Sequence, residues 1–330
     1  MSSPARILEL AERRVGSELR RGKYTLDALI GVGSMGAVYR ATHRNGSHVA
    51  VKVMHSELVG DDGLHARFLR EGFIVNQVNH PGLVKVLDDD VDDGGVTFLV
   101  MELLLGKTLE DEREALGGKM APVQLLHIMR EVLAVLVAVH AKGILHRDLK
   151  PENIFLTDSG GVKLLDLGVA RMGMSKQTAM GETLGSPAYL SPEQAAGQLD
   201  QIDERSEVFS VGAILFALLT GRWVHDGETA AMRVVAAATK PARRIRTVWA
   251  DAPVALANLV DVALRFNKSQ RWASAEQMLR TLDGVLTMMI PKELQPGASQ
   301  APPAGASHPP PPSPDDTAVG WPSPWSAPRR

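Results

Sequence analysis

The sequence is most informative at His146-Arg147-Asp148-Leu149-Lys150-Pro151-Glu152-Asn153, which directly follows a long apolar segment. This stretch places a carboxylate, an ammonium group and a carboxamide at short, fixed offsets. An aspartate can accept a hydroxyl proton, a lysine two residues later can neutralise charge on a transferring phosphoryl group, and an asparagine five residues later can bind Mg²⁺. The stretch therefore predicts phosphoryl transfer, with Asp148 and Lys150 as catalytic residues and Asn153 as a metal ligand.

A glycine-rich motif near the start of the chain fits the same chemistry. It reads Gly31-Val32-Gly33-Ser34-Met35-Gly36. Dinucleotide-binding folds use the same spacing, but there a helix directly follows the glycines. Here a strand-like run follows and leads into an Asn45-Gly46 hairpin turn. Glycines between two antiparallel strands form a flap whose backbone N–H groups can close over phosphates, so we expect a nucleotide-binding hairpin.

Three further charged residues complete the set. Lys52 follows Val49-Ala50-Val51 and is flanked by apolar residues, where a lysine needs a partner because charged side chains are rarely buried alone. Glu71, 19 residues later on the main helix of this region, is the expected partner, and Glu57 is a weaker candidate. Asp166 follows Asp148 by 18 residues and comes directly after an alternating strand. With Asn153, it supplies the oxygen ligands that suit Mg²⁺.

Taken together and in this order, the motifs resemble those of Hanks-type (eukaryotic-like) serine/threonine protein kinases, and most of all the bacterial ones. The resemblance covers about residues 24–288. It implies an α+β, bilobal protein kinase fold, in which a β-rich N-lobe with one main helix precedes an α-rich C-lobe. It also implies ATP and Mg²⁺ as cofactors and protein substrates with Ser/Thr acceptors, because Lys150 in Asp-Leu-Lys-Pro-Glu-Asn is the serine/threonine form.

The resemblance carries specific roles for the nucleotide site. Lys52, held by Glu71, would contact the α- and β-phosphates, and Val38 would lie on the adenine. Adenine would hydrogen-bond to the backbone of residues 102–104, with Met101 behind the pocket. The ATP-binding residues implied in this way are Ile30, Gly31, Gly33, Gly36, Val38, Ala50, Lys52, Glu71, Glu102 and Leu104. The implied metal ligands are Asn153 and Asp166.

A later stretch resembles the end of a kinase activation segment. Ser191-Pro192-Glu193 matches the closing triplet, with serine where alanine is common, and Glu193 is expected to pair with Arg271. Arg147, beside Asp148, carries a positive charge that a phosphate on the segment can satisfy. We therefore expect autophosphorylation on Thr178 or Thr183.

Besides Ser191, two further positions depart from the family pattern. Leu167 replaces the commoner phenylalanine, a mild change because leucine can still pack. Glu207 stands where kinases usually have an aspartate that accepts backbone hydrogen bonds from the catalytic loop, and its extra methylene could shift that loop. Two alternatives therefore stay open. One is a pseudokinase that acts as a nucleotide-binding or scaffolding module, and the other is a small-molecule kinase, which normally lacks the Ser-Pro-Glu segment.

The remaining sequence suggests three regions. Residues 1–23 are predicted to be a charged helical extension packed loosely on the body. The kinase domain follows at 24–288, with the N-lobe over about 24–103 and the C-lobe over about 107–288. Residues 289–330 form a Pro-rich tail that we expect to be disordered, since Pro291 to Arg330 hold 12 of the chain's 20 prolines. Partner docking through Pro309 to Pro314, Trp321 or Trp325 is possible.

Composition excludes several partners. The chain has 330 residues, a net charge of -2 and no cysteine, so it has neither a basic field for nucleic acid nor disulfides. The most apolar runs, Val132 to Val139 and Val211 to Leu219, are shorter than the roughly 20 residues that span a bilayer. We expect a cytoplasmic protein with no membrane partner.

Overall fold

The computed structural model describes residues 4–33, 35–55, 62–92, 94–167 and 187–289. A six-stranded antiparallel sheet with two packed helices forms the first lobe, and helices dominate the second. The predicted α+β bilobal fold is confirmed. The elements of the first lobe are α1 (Pro4–Glu12), β1 (Glu18–Leu19), β2 (Tyr24–Val32), β3 (Gly36–His43), β4 (His48–Met54), α2 (Asp62–Gln77), β5 (Val86–Val91) and β6 (Thr97–Met101).

The register of the first sheet separates two faces. The sheet order is β1-β2-β3-β4-β6-β5. Val38 lies opposite Lys52, and Ala50 lies opposite Met101, so these four residues share one face. The alternate positions form the apolar core on the other face, which includes Tyr39, Val51, Val53, Phe98 and Val100. The sequence alternation thus directs Lys52 away from this core.

The N-terminal segment differs from the prediction. The helix ends at Glu12 rather than near residue 22, because Gly16 adopts φ 86° and turns the chain into β1. Ala11 and Leu19 are each only 3% exposed and belong to the same core as Tyr39. The Tyr39 hydroxyl also donates to the Ala11 carbonyl at 2.9 Å. Ala11, Leu19 and Tyr39 therefore anchor the segment to the first lobe, while Leu8 and Leu10 in the helix stay 44% and 38% exposed.

Strand β5 lies at the edge of the sheet and carries an acidic run. It begins at Val86 and ends at Val91. Asp88 accepts from Lys23 at 2.8 Å, and Asp90 accepts from Arg20 at 2.6 Å. These ion pairs with the N-terminal segment compensate the negative charges on the edge strand.

The second lobe packs around two apolar helices. Its elements are β7 (Gly106–Thr108), α3 (Leu109–Ala115), α4 (Pro122–His140), β8 (Ile154–Thr157), β9 (Val162–Leu164), α5 (Pro192–Ala195), α6 (Glu204–Thr220), α7 (Ala230–Thr239), α8 (Val254–Ala263) and α9 (Ala275–Met289). Strands β7, β8 and β9 form a second small sheet. Helix α6 begins at a capping box on Asp203 and ends at Gly221 with φ 70°. All its residues from Ser206 to Thr220 are buried, so it forms the centre of the lobe.

Helix α4 is longer than the apolar run recognised in the sequence. At 19 residues it is long and apolar enough, by length and composition alone, to cross a membrane. In the structure it packs against α6 and α9, and Val132, Leu133, Leu136 and Val139 have no exposed surface. Burial in the lobe core accounts for its apolar character. The Pro-rich tail lies outside the described residues.

Candidate active site

The loop between α4 and β8 brings three predicted residues together. Lys150 Nζ lies 3.4 Å from Asp148 Oδ2. The side-chain Nδ2 of Asn153 donates to the Asp148 carbonyl at 2.7 Å and lies 3.3 Å from Asp148 Oδ2. All three side chains are largely covered, since Asp148 and Lys150 are 18% and 22% exposed and Asn153 is buried. The loop therefore holds a carboxylate, an ammonium group and a carboxamide in one fixed cluster.

Strand β9 is tied to this loop just before Asp166. The fully buried His146 ring contacts the Leu165 carbonyl through Nε2 at 3.1 Å. The Leu165 N–H donates to the Asn153 carbonyl at 2.9 Å. These contacts set the position of Asp166 relative to Asp148, and they give His146 the packing role that its place in the loop suggests.

Lys52 and Asp166 meet between the two lobes. Lys52 Nζ donates to Asp166 Oδ1 at 2.9 Å, and the lysine side chain is 8% exposed while that of Asp166 is 58% exposed. A buried lysine on the sheet thus reaches a carboxylate that is open to solvent. Glu71 lies on α2, but its side chain is outside the described part of the structure, so its pairing with Lys52 stays a prediction.

The donor set fits a divalent cation. The side-chain Nδ2 of Asn153 donates to the Asp148 carbonyl, so the side-chain Oδ1 of Asn153 is the atom left to bind a metal. Asp166 has φ 47°, a left-handed conformation that is unusual outside glycine and typical of functional sites. Carboxylate and amide oxygens are the ligands that Mg²⁺ prefers. Asn153 and Asp166 are therefore suited to hold Mg²⁺.

The glycine-rich segment joins the antiparallel strands β2 and β3, as the strand-like run after the glycines predicted, and among the described residues no helix follows the glycines directly. At Gly36 a Cβ atom would lie 2.4 Å from the Val53 carbonyl oxygen, so only glycine fits this position. The His55 ring contacts the Gly33 carbonyl through Nε2 at 2.8 Å, which ties the flap to the end of β4. Ile30, beside the flap, is 55% exposed.

Glu102 has a second role that its sequence position did not suggest. Its N–H donates to the Lys85 carbonyl at 3.0 Å. Its carboxylate accepts from the Lys85 N–H at 2.8 Å and from Lys163 at 2.5 Å. Leu104 follows at a half-buried position before β7. The segment that joins the lobes is thus fixed by an ion pair to β9.

Glu207 does what the family's aspartate was expected to do. Its Oε1 accepts from the Arg147 N–H at 2.7 Å, in the loop that carries Asp148. Its Oε2 contacts His140 Nε2 at 2.6 Å, and Glu207 is 1% exposed. The sequence reading missed His140. Its position in the last turn of an apolar helix, just before the catalytic loop, was the available signal.

Glu193 and Arg271 form the predicted pair. Arg271 donates through both terminal nitrogens, at 2.7 Å to Oε1 and 2.9 Å to Oε2 of Glu193. Ser206 adds a third hydrogen bond to Oε1. Burial raises the pKa of Glu193, but the hydrogen bonds and charge of Arg271 outweigh it, so the pKa lies below its ordinary value. Thr178 and Thr183 lie outside the described residues.

These features define an enzyme class. A glycine flap over a sheet, a lysine that reaches an aspartate across the two lobes, and a loop with a base, a lysine and an asparagine are the parts of a bilobal phosphotransferase. The family model described as protein kinase domain matches residues 24–282. The chain belongs to the protein kinase domain family.

Relatives agree with this assignment. The chain is 38% identical over 273 residues to the serine/threonine-protein kinase PknL of Mycobacterium tuberculosis, covering 82% of this chain and 67% of PknL. It is 35% identical to the probable serine/threonine-protein kinase PknB of Corynebacterium glutamicum, covering 79% of this chain and 42% of that protein. With such relatives, the chain is a serine/threonine protein kinase of the bacterial Hanks type.

A solved structure supports the fold. The crystal structure of the Mycobacterium tuberculosis PknI kinase domain superposes with a TM-score of 0.61 at 23% identity, over 82% of this chain and 98% of that one. At this identity the likeness speaks for the fold alone.

Proposed function

We propose that the protein transfers the γ-phosphoryl group of ATP to serine or threonine hydroxyls of proteins, with Asp148 as the residue that accepts the hydroxyl proton. The observation that carries this proposal is the cluster in which Lys150 and Asn153 lie 3.4 Å and 3.3 Å from Asp148 Oδ2. Such a cluster places a base beside a cation and a metal ligand, as phosphoryl transfer requires.

Each residue then has one task. Asp148 orients the acceptor hydroxyl and takes its proton, and Lys150 stabilises negative charge on the transferred group. Lys52 binds the phosphates of ATP from the sheet side, and Asn153 and Asp166 hold Mg²⁺. Bound Mg²⁺ neutralises charge on the phosphate oxygens. Most of the barrier reduction comes from positioning and electrostatics, because little covalent chemistry is left to the protein.

The flap and the inter-lobe segment provide the rest of the nucleotide site. Val38, Ala50 and Met101 share the sheet face of Lys52, which gives adenine an apolar surface. The backbone carbonyl of Glu102 and the backbone of Leu104 supply the hydrogen bonds to adenine. The N–H groups around Gly31, Gly33 and Gly36 supply donors to the phosphates.

Regulation and location are also part of the proposal. Autophosphorylation on Thr178 or Thr183 would place a phosphate near Arg147, whose Nε atom is buried without a hydrogen-bond partner among the described residues. The protein acts in the cytoplasm on protein substrates and has no nucleic-acid or membrane partner. The Pro-rich tail is a candidate docking segment for a partner.

A transfer assay separates this function from its alternatives. The protein is incubated with γ-labelled ATP, Mg²⁺ and a generic basic protein, and the labelled amino acids are identified. Phosphoserine or phosphothreonine in either protein supports the proposal. Retained ATP binding without transfer would favour a pseudokinase, and transfer only to an aminoglycoside or choline would favour a small-molecule kinase.

A further inference from the structure

The carboxylate of Glu207 is shared between two elements that flank the catalytic loop. Oε1 accepts from the backbone N–H of Arg147 at 2.7 Å, and Oε2 accepts from His140 Nε2 at 2.6 Å. Glu207 lies on the first turns of α6, while His140 is the last residue of α4. Because the side chain is 2% exposed, water cannot replace either contact.

His140 is buried beside a second carboxylate. Its side chain is 4% exposed, and its Nδ1 lies 3.5 Å from Glu204 Oε2, one helical turn before Glu207. Glu204 is 43% exposed, so this second contact is longer and open to solvent. A carboxylate can only accept, so the His140 Nε2–H is the donor to Glu207. The ring therefore holds Oε2 of Glu207 in place while Oε1 binds the catalytic loop.

The peptide group that these contacts fix lies directly before the proposed base. Arg147 has φ 62°, a conformation that a non-glycine residue keeps only when its surroundings hold it. Its N–H is held by Glu207, and its carbonyl accepts from Gln194 at 3.1 Å. Gln194 is anchored in turn by the capping box of Ser191 at the start of α5. The orientation of Asp148 thus depends on two tethers to the preceding residue.

We propose that His140 and Glu207 form one positioning unit for Asp148, and that this unit requires the length of glutamate, so the aspartate usual in kinases cannot replace it here. Shortening residue 207 by one methylene withdraws its carboxylate by about 1.5 Å. Contacts of 2.6 Å and 2.7 Å cannot both survive that withdrawal between two packed helices. This inference rests on the proposed role of Asp148 and deepens it.

The first test is Glu207→Asp in the full chain. We expect kcat for phosphoryl transfer to fall about 10-fold or more, as a sub-ångström to ångström misplacement of a catalytic group does. ATP affinity, measured by calorimetry, should remain at the wild-type value because the nucleotide residues are untouched. Glu276→Asp, the same shortening at a glutamate whose side chain is 55% exposed, is the matched control and should retain wild-type kcat. A wild-type kcat in Glu207→Asp would overturn the proposal.

The second test separates positioning from folding. His140→Gln keeps a hydrogen-bond donor, whereas His140→Leu leaves a buried carboxylate oxygen unpaired. We expect kcat to be low in His140→Leu and largely restored in His140→Gln. In addition, the losses in Glu207→Asp and His140→Leu should not add in the double variant, because they remove one unit. Additive losses, or equal kcat in the two His140 variants, would show that His140 and Glu207 do not act as one positioning unit.

Asp148→Asn in the same assay distinguishes the two levels of the account. If Asp148→Asn is inactive and Glu207→Asp is fully active, the positioning unit is wrong and the proposed function stands. If Asp148→Asn is as active as wild type, the proposed function itself fails.

Discussion

Lys52 Nζ lies 2.9 Å from Asp166 Oδ1 and thereby joins the fourth strand of the first lobe to the end of β9 in the second. The lysine is almost fully covered, and the aspartate is half open. An ammonium group in such a place is held by charge rather than by hydration, so it is oriented before a nucleotide arrives. This ion pair links the proposed phosphate-binding residue with a proposed metal ligand.

Replacing Lys52 by methionine should abolish most activity while the fold persists. Methionine retains the packing of the stem but removes the charge that faces Asp166, and loss of one preorganised electrostatic group costs about 10²- to 10³-fold in kcat. Steady-state transfer from labelled ATP measures the effect. Lys142→Met, at an exposed lysine beyond α4, is the matched control and should behave like wild type. A Lys52→Met enzyme as active as wild type would show that Lys52 is not needed for phosphoryl transfer.

Gly36→Ala should destabilise the first lobe more than Gly31→Ala. The added Cβ at Gly36 meets a backbone oxygen at 2.4 Å, whereas no atom of the described residues lies within 4 Å of a Cβ at Gly31. Overpacking of this kind costs roughly 1–3 kcal/mol. Urea unfolding of both variants measures the difference. Equal stabilities would show that the β3–β4 contact can relax.

Removing the charge of Arg271 should destabilise the second lobe strongly. Arg271→Met leaves the Glu193 carboxylate buried with one remaining side-chain donor, Ser206, and breaking a buried ion pair costs about 3–5 kcal/mol. Chemical unfolding gives the value. Arg280→Met, at an ion pair whose arginine side chain is 75% exposed, should show no measurable change. Equal effects at both positions would contradict the account.

The same pair predicts a pH dependence of stability. The pKa of Glu193 is lowered in the folded state, so its contribution is complete above the ordinary glutamate pKa and is lost as pH falls through the lowered value. The stability advantage of the wild type over Glu193→Gln should therefore shrink between about pH 5 and pH 3. Unfolding curves for both proteins across this range test it. A constant advantage would mean that Glu193 does not titrate in this way.

Sequence reasoning reached the features that depend on short fixed spacings. The loop from His146 to Asn153 and the flap from Gly31 to Gly36 carry their geometry locally, since their residues are neighbours in the chain. The Glu193 and Arg271 pair, although distant in sequence, was also predictable, because the family resemblance supplied both positions. The α-rich character of the second lobe was implied by the same resemblance.

Features that depend on long-range packing were not predictable in the same way. The N-terminal segment looked like a solvated helix because its charges are prominent, yet Ala11 and Leu19 complete a core whose other members lie on distant strands. Lys163 and His140 are ordinary polar residues until the fold brings them to Glu102 and Glu207. Their partners lie 61 and 67 residues away, so no local pattern identifies which residue each one contacts.

Asp148 is proposed as the base for phosphoryl transfer to protein hydroxyls. The rates of transfer from ATP by wild type and by Asp148→Asn test this role. Both proteins are compared at equal thermal stability and equal ATP affinity, with Mg²⁺ present. We expect phosphoserine or phosphothreonine with the wild type, and a transfer rate at least about 100-fold lower with Asp148→Asn. Equal rates in the two proteins would contradict it.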